Sequence, residues 1–460
     1  MNRSYPSEQG WTSQPAGRGT LGIIWPCCMT VFLCCWTSLC LNVPPPDWNR
    51  WRRIHQKIII ACMSGLGPEF TFQLALGQWS SARRSVKEFA GSGYTEWSLT
   101  HAFFADMGGF ILRPPDWVEF PINAKQVHYL VTKGYIPFSD VAIEKAVISD
   151  KNKRDSLTRV LTVCQILWFS INCMARLVNG IGLTTMELSV VAFLFCGLGT
   201  YACWARKPMD VITPIKLTPN ATLTEILVRA GDCAREPYRC TPMDFVGREC
   251  SSWHMYWTYW MDIARKLRLA FPLKRAPISS IPDDNFPPIS DRASVILFLF
   301  QITYAGIHLL AWNFHFPTTT ECLLWRIATS YIACSIVAYW IVEFCVWRFS
   351  PTVQRSLHAL GLPAECPFSF TRGPDMEKGR KTTRLGRKAR RIAGLRNYSA
   401  RKYDRQMEIP LKALIPVTFL GFGYCVARAY ILLESWMNLR ALPLNDYQTV
   451  EWSLFFPHVQ

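Results

Sequence analysis

Six stretches of this chain are too long and too apolar to be anything but buried or membrane-spanning helices. They run Leu21–Val43, Val160–Val178, Met186–Trp204, Ala293–Trp312, Leu323–Trp347 and Leu411–Leu433. A hydrocarbon layer about 30 Å thick needs about 20 predominantly apolar residues of helix, and each of these stretches supplies that length between charged, Pro or Trp boundaries. Half of the 460 residues are hydrophobic and 18% are charged. The 19 Trp and 27 Phe suit a molecule with two lipid–water interfaces. The expected fold class is therefore an all-α polytopic integral membrane protein with about six transmembrane helices. The first stretch has a long, weakly basic leader and runs into Pro44-Pro45-Pro46, so it reads as an uncleaved anchor.

A seventh stretch, Lys57–Trp79, is broken by Gly67-Pro68-Glu69. Gly stops one helix, Pro fits the first turn of the next, and an acid there faces the positive end of the new helix dipole. The apolar run before the break is Ile58–Leu66, roughly 14 Å of helix, which is too short to span. If this segment crossed, Arg50, Arg52 and Arg53 would lie opposite the basic loop Lys378–Arg405, against the positive-inside bias. It is expected to be re-entrant or interfacial. That choice places both termini on the lumenal or extracellular side.

The expected organisation is 1–43 as lumenal tail and first span, 44–156 as a cytosolic or interfacial region with the re-entrant segment, and 157–205 as a helical hairpin. Then come a cytosolic loop region at 206–291, a second hairpin at 292–347, a basic cytosolic loop at 348–410, and the last span with its lumenal tail at 411–460. The net charge is +17, and more than half of the excess lies in the third cytosolic region. Such a loop between two apolar segments binds anionic lipid at the cytosolic leaflet, and nucleic acid is not an expected partner. Many of the 18 Cys, including Cys27, Cys34, Cys196 and Cys425, fall inside apolar segments and pack as small hydrophobes. No Cys/His spacing suggests zinc, so no metal and no cofactor are expected.

Most polar groups in the apolar segments have local explanations. Thr184–Glu187 and Thr318–Glu321 both read S/T-x-x-E, a capping box at a helix start. Arg176, His308 and Arg428 fall at similar depth near the outer ends of their helices and can form one polar layer. Lys207-Pro208-Met209-Asp210-Val211 reads as a helix stop at the membrane surface, and Trp253–Trp260 as an aromatic segment at headgroup level.

Four residues are candidates for chemistry. Glu69 follows the helix break, and a carboxyl desolvated there can act as a proton donor. His101 and Asp106 flank the aromatic run Ala102–Ala105 and precede the turn-permitting pair Gly108-Gly109. Glu343 lies near the cytosolic end of its helix. Against these stand a helix-start acid, an interfacial loop and an interfacial carboxylate that reaches water. DDxxD, GxGxxG, Walker A, HExxH and GxSxG are absent, and Asp283-Asp284 is a lone pair in a Pro-rich loop.

The stretches Thr30–Cys34, Leu41–Pro44, Pro68–Phe70, His101–Phe110, Asn123–Gln126, Thr184–Leu188, Lys207–Val211, Ala311–Pro317 and Phe456–His458 make the chain resemble a widespread family of polytopic membrane proteins of filamentous fungi. The resemblance implies an endomembrane protein, of the endoplasmic reticulum or a related membrane, around secondary-metabolite pathways; it transfers no catalytic residue. Small membrane-bound terpene cyclases are similar in general helical architecture and in having intramembrane carboxylates. The leading expectation is a membrane-bound cyclase or isomerase acting on a prenylated, lipid-soluble intermediate, with Glu69, His101 and Asp106 as its acid–base groups and Glu343 behind them. A non-enzymatic membrane scaffold or sensor is the alternative, and a transporter ranks third.

Overall fold

The architecture comes from a computed structural model that describes residues 7–9, 11–13, 18–143, 156–235, 238, 240–247, 252–267, 277–347 and 411–450. The basic loop Lys378–Arg405, Asn2, Asn397 and Phe456–His458 lie outside the described residues.

Six helices are long and apolar enough to cross a membrane: α1 (Thr20–Ser38), α6 (Ser156–Val178), α7 (Thr185–Cys203), α10 (Asp291–Leu309), α11 (Thr319–Trp347) and α12 (Leu411–Met437). Helix α7 is central, packed on by α1 and by α10, while α11 lies along α12. The outward faces stay apolar: Phe32, Trp168, Leu299, Ile327 and Phe419 are all exposed. An exposed apolar surface running round several helices is what a lipid solvent demands and what water penalises.

At one end of the bundle the helix termini are tied together. The start of α7 carries the expected capping box, with Glu187 N–H donating to Thr184 Oγ1 at 3.2 Å and Thr184 N–H donating to Glu187 Oε2 at 3.1 Å. The second box forms by half: Glu321 N–H donates to Thr318 Oγ1 at 3.2 Å, while its carboxylate pairs with Arg440 instead. Strand β1 (Ser7–Gln9) pairs antiparallel with β5 (Ala441–Pro443), so the chain on either side of the six helices meets at this same end. Six helices that run the length of the bundle give that result, since an even number returns the chain to the end from which it started.

The other end carries a compact domain that the composition of the loops had not suggested. Its framework is α4 (Leu99–Asp106), α5 (Ala124–Thr132), α8 (Leu223–Ala230) and a three-stranded sheet ordered β3-β2-β4, from Phe120–Ile122, Phe110–Leu112 and Ile215–Leu217. The fold is thus mostly helical rather than purely so. Phe89, Trp97, Phe103, Phe104, Phe110 and Phe120 form its core. The Gly108-Gly109 turn makes the sheet possible. Gly108 sits at φ 83°, and a Cβ on Gly109 would stand 2.5 Å from the Phe104 carbonyl oxygen, where Gly109 N–H donates at 2.8 Å.

Helices α2 (Arg50–Leu66) and α3 (Pro68–Gly91) meet at Gly67 with a bend of 111°. Both arms return to the domain end of the bundle. Near its start, α2 pairs Lys57 with Asp210, and the second half of α3 packs on α4 and α5. The tip of this hairpin is inserted among the long helices.

Candidate functional site

The hairpin tip carries Glu69 in the first turn of α3, and its side chain is 2% exposed. Tyr424 from α12 donates its hydroxyl to Glu69 Oε1 at 2.5 Å. The second oxygen, Oε2, has no partner at close hydrogen-bond distance among the described residues, and the donor that faces the carboxyl is the buried Tyr304 hydroxyl, which interacts with Glu69 outside that distance. A buried carboxyl is costly unless its oxygens are well paired, so a carboxyl with one close hydrogen bond and one loose donor is a feature to be explained by function.

Arg428, one turn beyond Tyr424 on α12, fixes the other side of the tip. Its Nε donates to the Leu66 carbonyl at 3.0 Å, and its Nη1 meets His308 Nε2 at 3.1 Å. Arg428 is always protonated and can only donate, so His308 Nε2 is the acceptor. Its Nδ1–H is then free to donate to the Tyr304 carbonyl at 2.9 Å. The imidazole is therefore a neutral prop that aims the guanidinium, which also lies over the Tyr304 ring at 5.1 Å. Of the polar layer expected from sequence, His308 and Arg428 do meet, and they meet at Glu69. Arg176 does not join them. It clamps the end of the bundle where β1 meets β5, donating to the carbonyls of Gly182 (2.6 Å), Gln448 (2.7 Å) and Asp446 (2.8 Å).

An aromatic wall adjoins the carboxylate. Phe70 stacks on Trp253 at 5.3 Å and meets the Tyr424 ring edge-on at 5.7 Å, while Trp253 also meets Trp260 and Tyr339 edge-on. Helix α9 (Ser252–Lys266) therefore turns part of the Trp253–Trp260 segment into the bundle, not only toward headgroups. Trp253 Nε1 is a buried donor with no hydrogen-bond partner among the described residues.

The remaining sequence candidates are not brought to Glu69. His101 Nδ1 accepts from Ser98 N–H at 3.1 Å, which leaves Nε2–H to donate to the Ile143 carbonyl at 2.6 Å, and its ring stacks on Trp97. It is a buried helix cap. Asp106 accepts from Ala124 N–H at 3.0 Å and from Ser81 Oγ at 2.9 Å, so it holds the starts of α5 against α3. Burial pushes its carboxyl above the usual range, against those two hydrogen bonds. Its partner Ser81 lies twelve residues beyond Glu69 on one helix, about 18 Å away. Glu343 is half-buried near Tyr256, one turn beyond Tyr339 on α11.

Two groups that sequence reading passed over are also buried. Lys207, placed in a surface helix stop by its Pro neighbour, is 3% exposed and donates to the Cys40 carbonyl (2.7 Å) and Gln78 Oε1 (2.9 Å). Burial lowers its ammonium from the usual lysine range. Asp283 accepts from Asn42 N–H at 2.7 Å, and burial raises its carboxyl to about 6. The Asp283-Asp284 pair thus fastens the segment before α10 to the domain. Among the described residues no group of three or more His, Cys, Asp or Glu is placed to hold a metal ion.

No curated protein and no solved structure matches the chain. A family model described as a family of unknown function (DUF8562) matches residues 2–234, a stretch that contains Glu69, His101, Asp106 and Lys207 and ends before His308 and Arg428. That match spans half of the chain, which therefore belongs to the DUF8562 family.

Proposed function

We propose that this protein is an integral membrane acid–base catalyst, a cyclase or isomerase, that acts on a lipid-soluble substrate at Glu69. The observation that carries the reading is the buried Glu69 carboxyl at the tip of a broken helix pair, one oxygen held closely by Tyr424 and the other with only the looser Tyr304 hydroxyl near it. A group so placed exchanges protons without competition from water, and the rings of Phe70, Trp253 and Tyr424 offer an apolar wall to a hydrocarbon substrate. In this reading the hairpin is re-entrant and the domain end faces the cytosol. The protein then sits in an endomembrane such as the endoplasmic reticulum, with Lys378–Arg405 against anionic lipid. A prenylated intermediate of secondary metabolism fits the fungal resemblance.

Within the site Glu69 is the reacting group. His101 and Asp106 act on the architecture of the cytosolic domain, and Glu343, near Tyr256, stands behind Glu69. The test is product analysis in a heterologous host fed prenylated precursors. Glu69→Gln, which keeps the Tyr424 hydrogen bond and removes the ionisable proton, is expected to abolish product at unchanged protein abundance. Unchanged product would overturn the catalytic reading. It would favour the scaffold reading, which has its own support: Arg428 ties down the Leu66 carbonyl, as a purely structural brace for the tip would.

A further inference from the structure

Arg428 constrains the kind of substrate that Glu69 can serve. A developing carbocation next to a fixed guanidinium is repelled by it, and the Tyr304 ring face that would stabilise such a cation is already covered by Arg428 at 5.1 Å. A developing oxyanion is attracted instead. The Tyr304 hydroxyl, buried beside Glu69 and held by no close hydrogen bond, is free to turn from the carboxyl to a substrate oxygen and supplies the neutral donor that an oxyanion needs. His308 keeps the guanidinium aimed without adding charge, because its Nε2 accepts from Arg428.

We infer that the substrate is an apolar carbonyl compound, isomerised by proton transfer through an enolate rather than cyclised through a cation. The inference rests on Glu69 being the acid–base group. Glu69 as carboxylate removes a proton from the carbon next to the carbonyl, or from its vinylogous position. The C–H pair moves into the new C=C bond, and the carbonyl π pair moves onto oxygen, where Tyr304 and Arg428 hold it. The carboxylic acid then returns the proton to another carbon of the same system, the oxygen pair re-forms the C=O bond, and Glu69 is again a carboxylate. Nothing is oxidised, and no co-reactant enters.

The test uses the full chain in lipid nanodiscs and three probes. 2-Naphthol mimics the flat enolate, naphthalene is the same ring system without oxygen, and 2-tetralone reports proton abstraction by deuterium uptake from D2O, followed by NMR. Tyr304→Phe removes a hydroxyl whose one recorded contact is the loose one to Glu69, so the fold has little to lose, and Arg428→Lys keeps the charge. Either variant is expected to weaken 2-naphthol binding about tenfold or more, the worth of one charge-assisted or buried hydrogen bond, and to leave naphthalene binding unchanged. Glu69→Gln is expected to keep 2-naphthol binding and to slow tetralone exchange about a hundredfold or more. If Tyr304→Phe changes naphthol and naphthalene binding alike, no oxygen is held there and the carbonyl inference falls, whatever the exchange data. If naphthol selectivity depends on Tyr304 but exchange is indifferent to Glu69→Gln, the acid–base reading of Glu69 falls and the oxygen-binding site stands.

Discussion

Asp283→Asn is expected to stabilise the protein at neutral pH and to do nothing at low pH. The wild-type carboxyl is buried against Asn42 N–H, Gln56 and Lys207, yet desolvation outweighs all three, and its pKa rises from 3.8 to about 6. A raised folded-state pKa means that the native state binds the proton more tightly than the unfolded chain does. The group's contribution is therefore complete below pH 3.8 and is lost as the pH climbs through 6. Two pKa units at 1.36 kcal/mol each amount to about 3 kcal/mol by pH 8. Asn keeps an acceptor for Asn42 N–H and carries no charge, so the variant should show no such loss. At roughly 2–4 °C per kcal/mol for a unit of 150–250 residues, the variant should melt several degrees above wild type at pH 8 and level with it only near pH 3. Thermal unfolding in detergent micelles across that range measures the difference. A variant destabilised equally at both pH values would refute the reasoning, because it would mean that the carboxylate earns its place through Lys207 and is not merely tolerated.

Lys207→Met should cost about 3 kcal/mol, since it orphans the Cys40 carbonyl and Gln78 Oε1, both acceptors of a charged donor; the same melting assay checks it. Arg176→Gln should loosen the opposite end of the bundle by a similar few kcal/mol through the carbonyls of Gly182, Asp446 and Gln448, and limited proteolysis of the segment after α12 should accelerate. In glycan mapping, Asn2 should be modified and Asn220 and Asn397 should not, if the domain end faces the cytosol as proposed; modification of Asn220, exposed on the domain, would invert the topology. A Lys378–Arg405 peptide should bind phosphatidylserine vesicles and leave them as salt rises, and salt-insensitive binding would contradict a charge-driven contact.

Local chemistry was readable from the chain. The six apolar helices, the break at Gly67-Pro68 and the capping box at Thr184 depend on residues within a turn or a span of one another, so their patterns survive in sequence. Tertiary structure decided the rest. Tyr424 reaches Glu69 across 355 residues, and Asn42 reaches Asp283 across 241, distances over which no periodicity carries information. The three strands of the domain sheet are three residues each, too short to alternate visibly, and they are set by a turn at Gly108 and a parallel partner from another loop. Lys207 reads as a surface stop because Pro208 ends a helix, yet the domain folds over it and lends it carbonyls in place of water. His101 and Asp106 look like an acid–base pair for the same reason in reverse, since their chemistry is visible in the sequence while the backbone groups that occupy it, at Ile143 and Ala124, are supplied only by the fold.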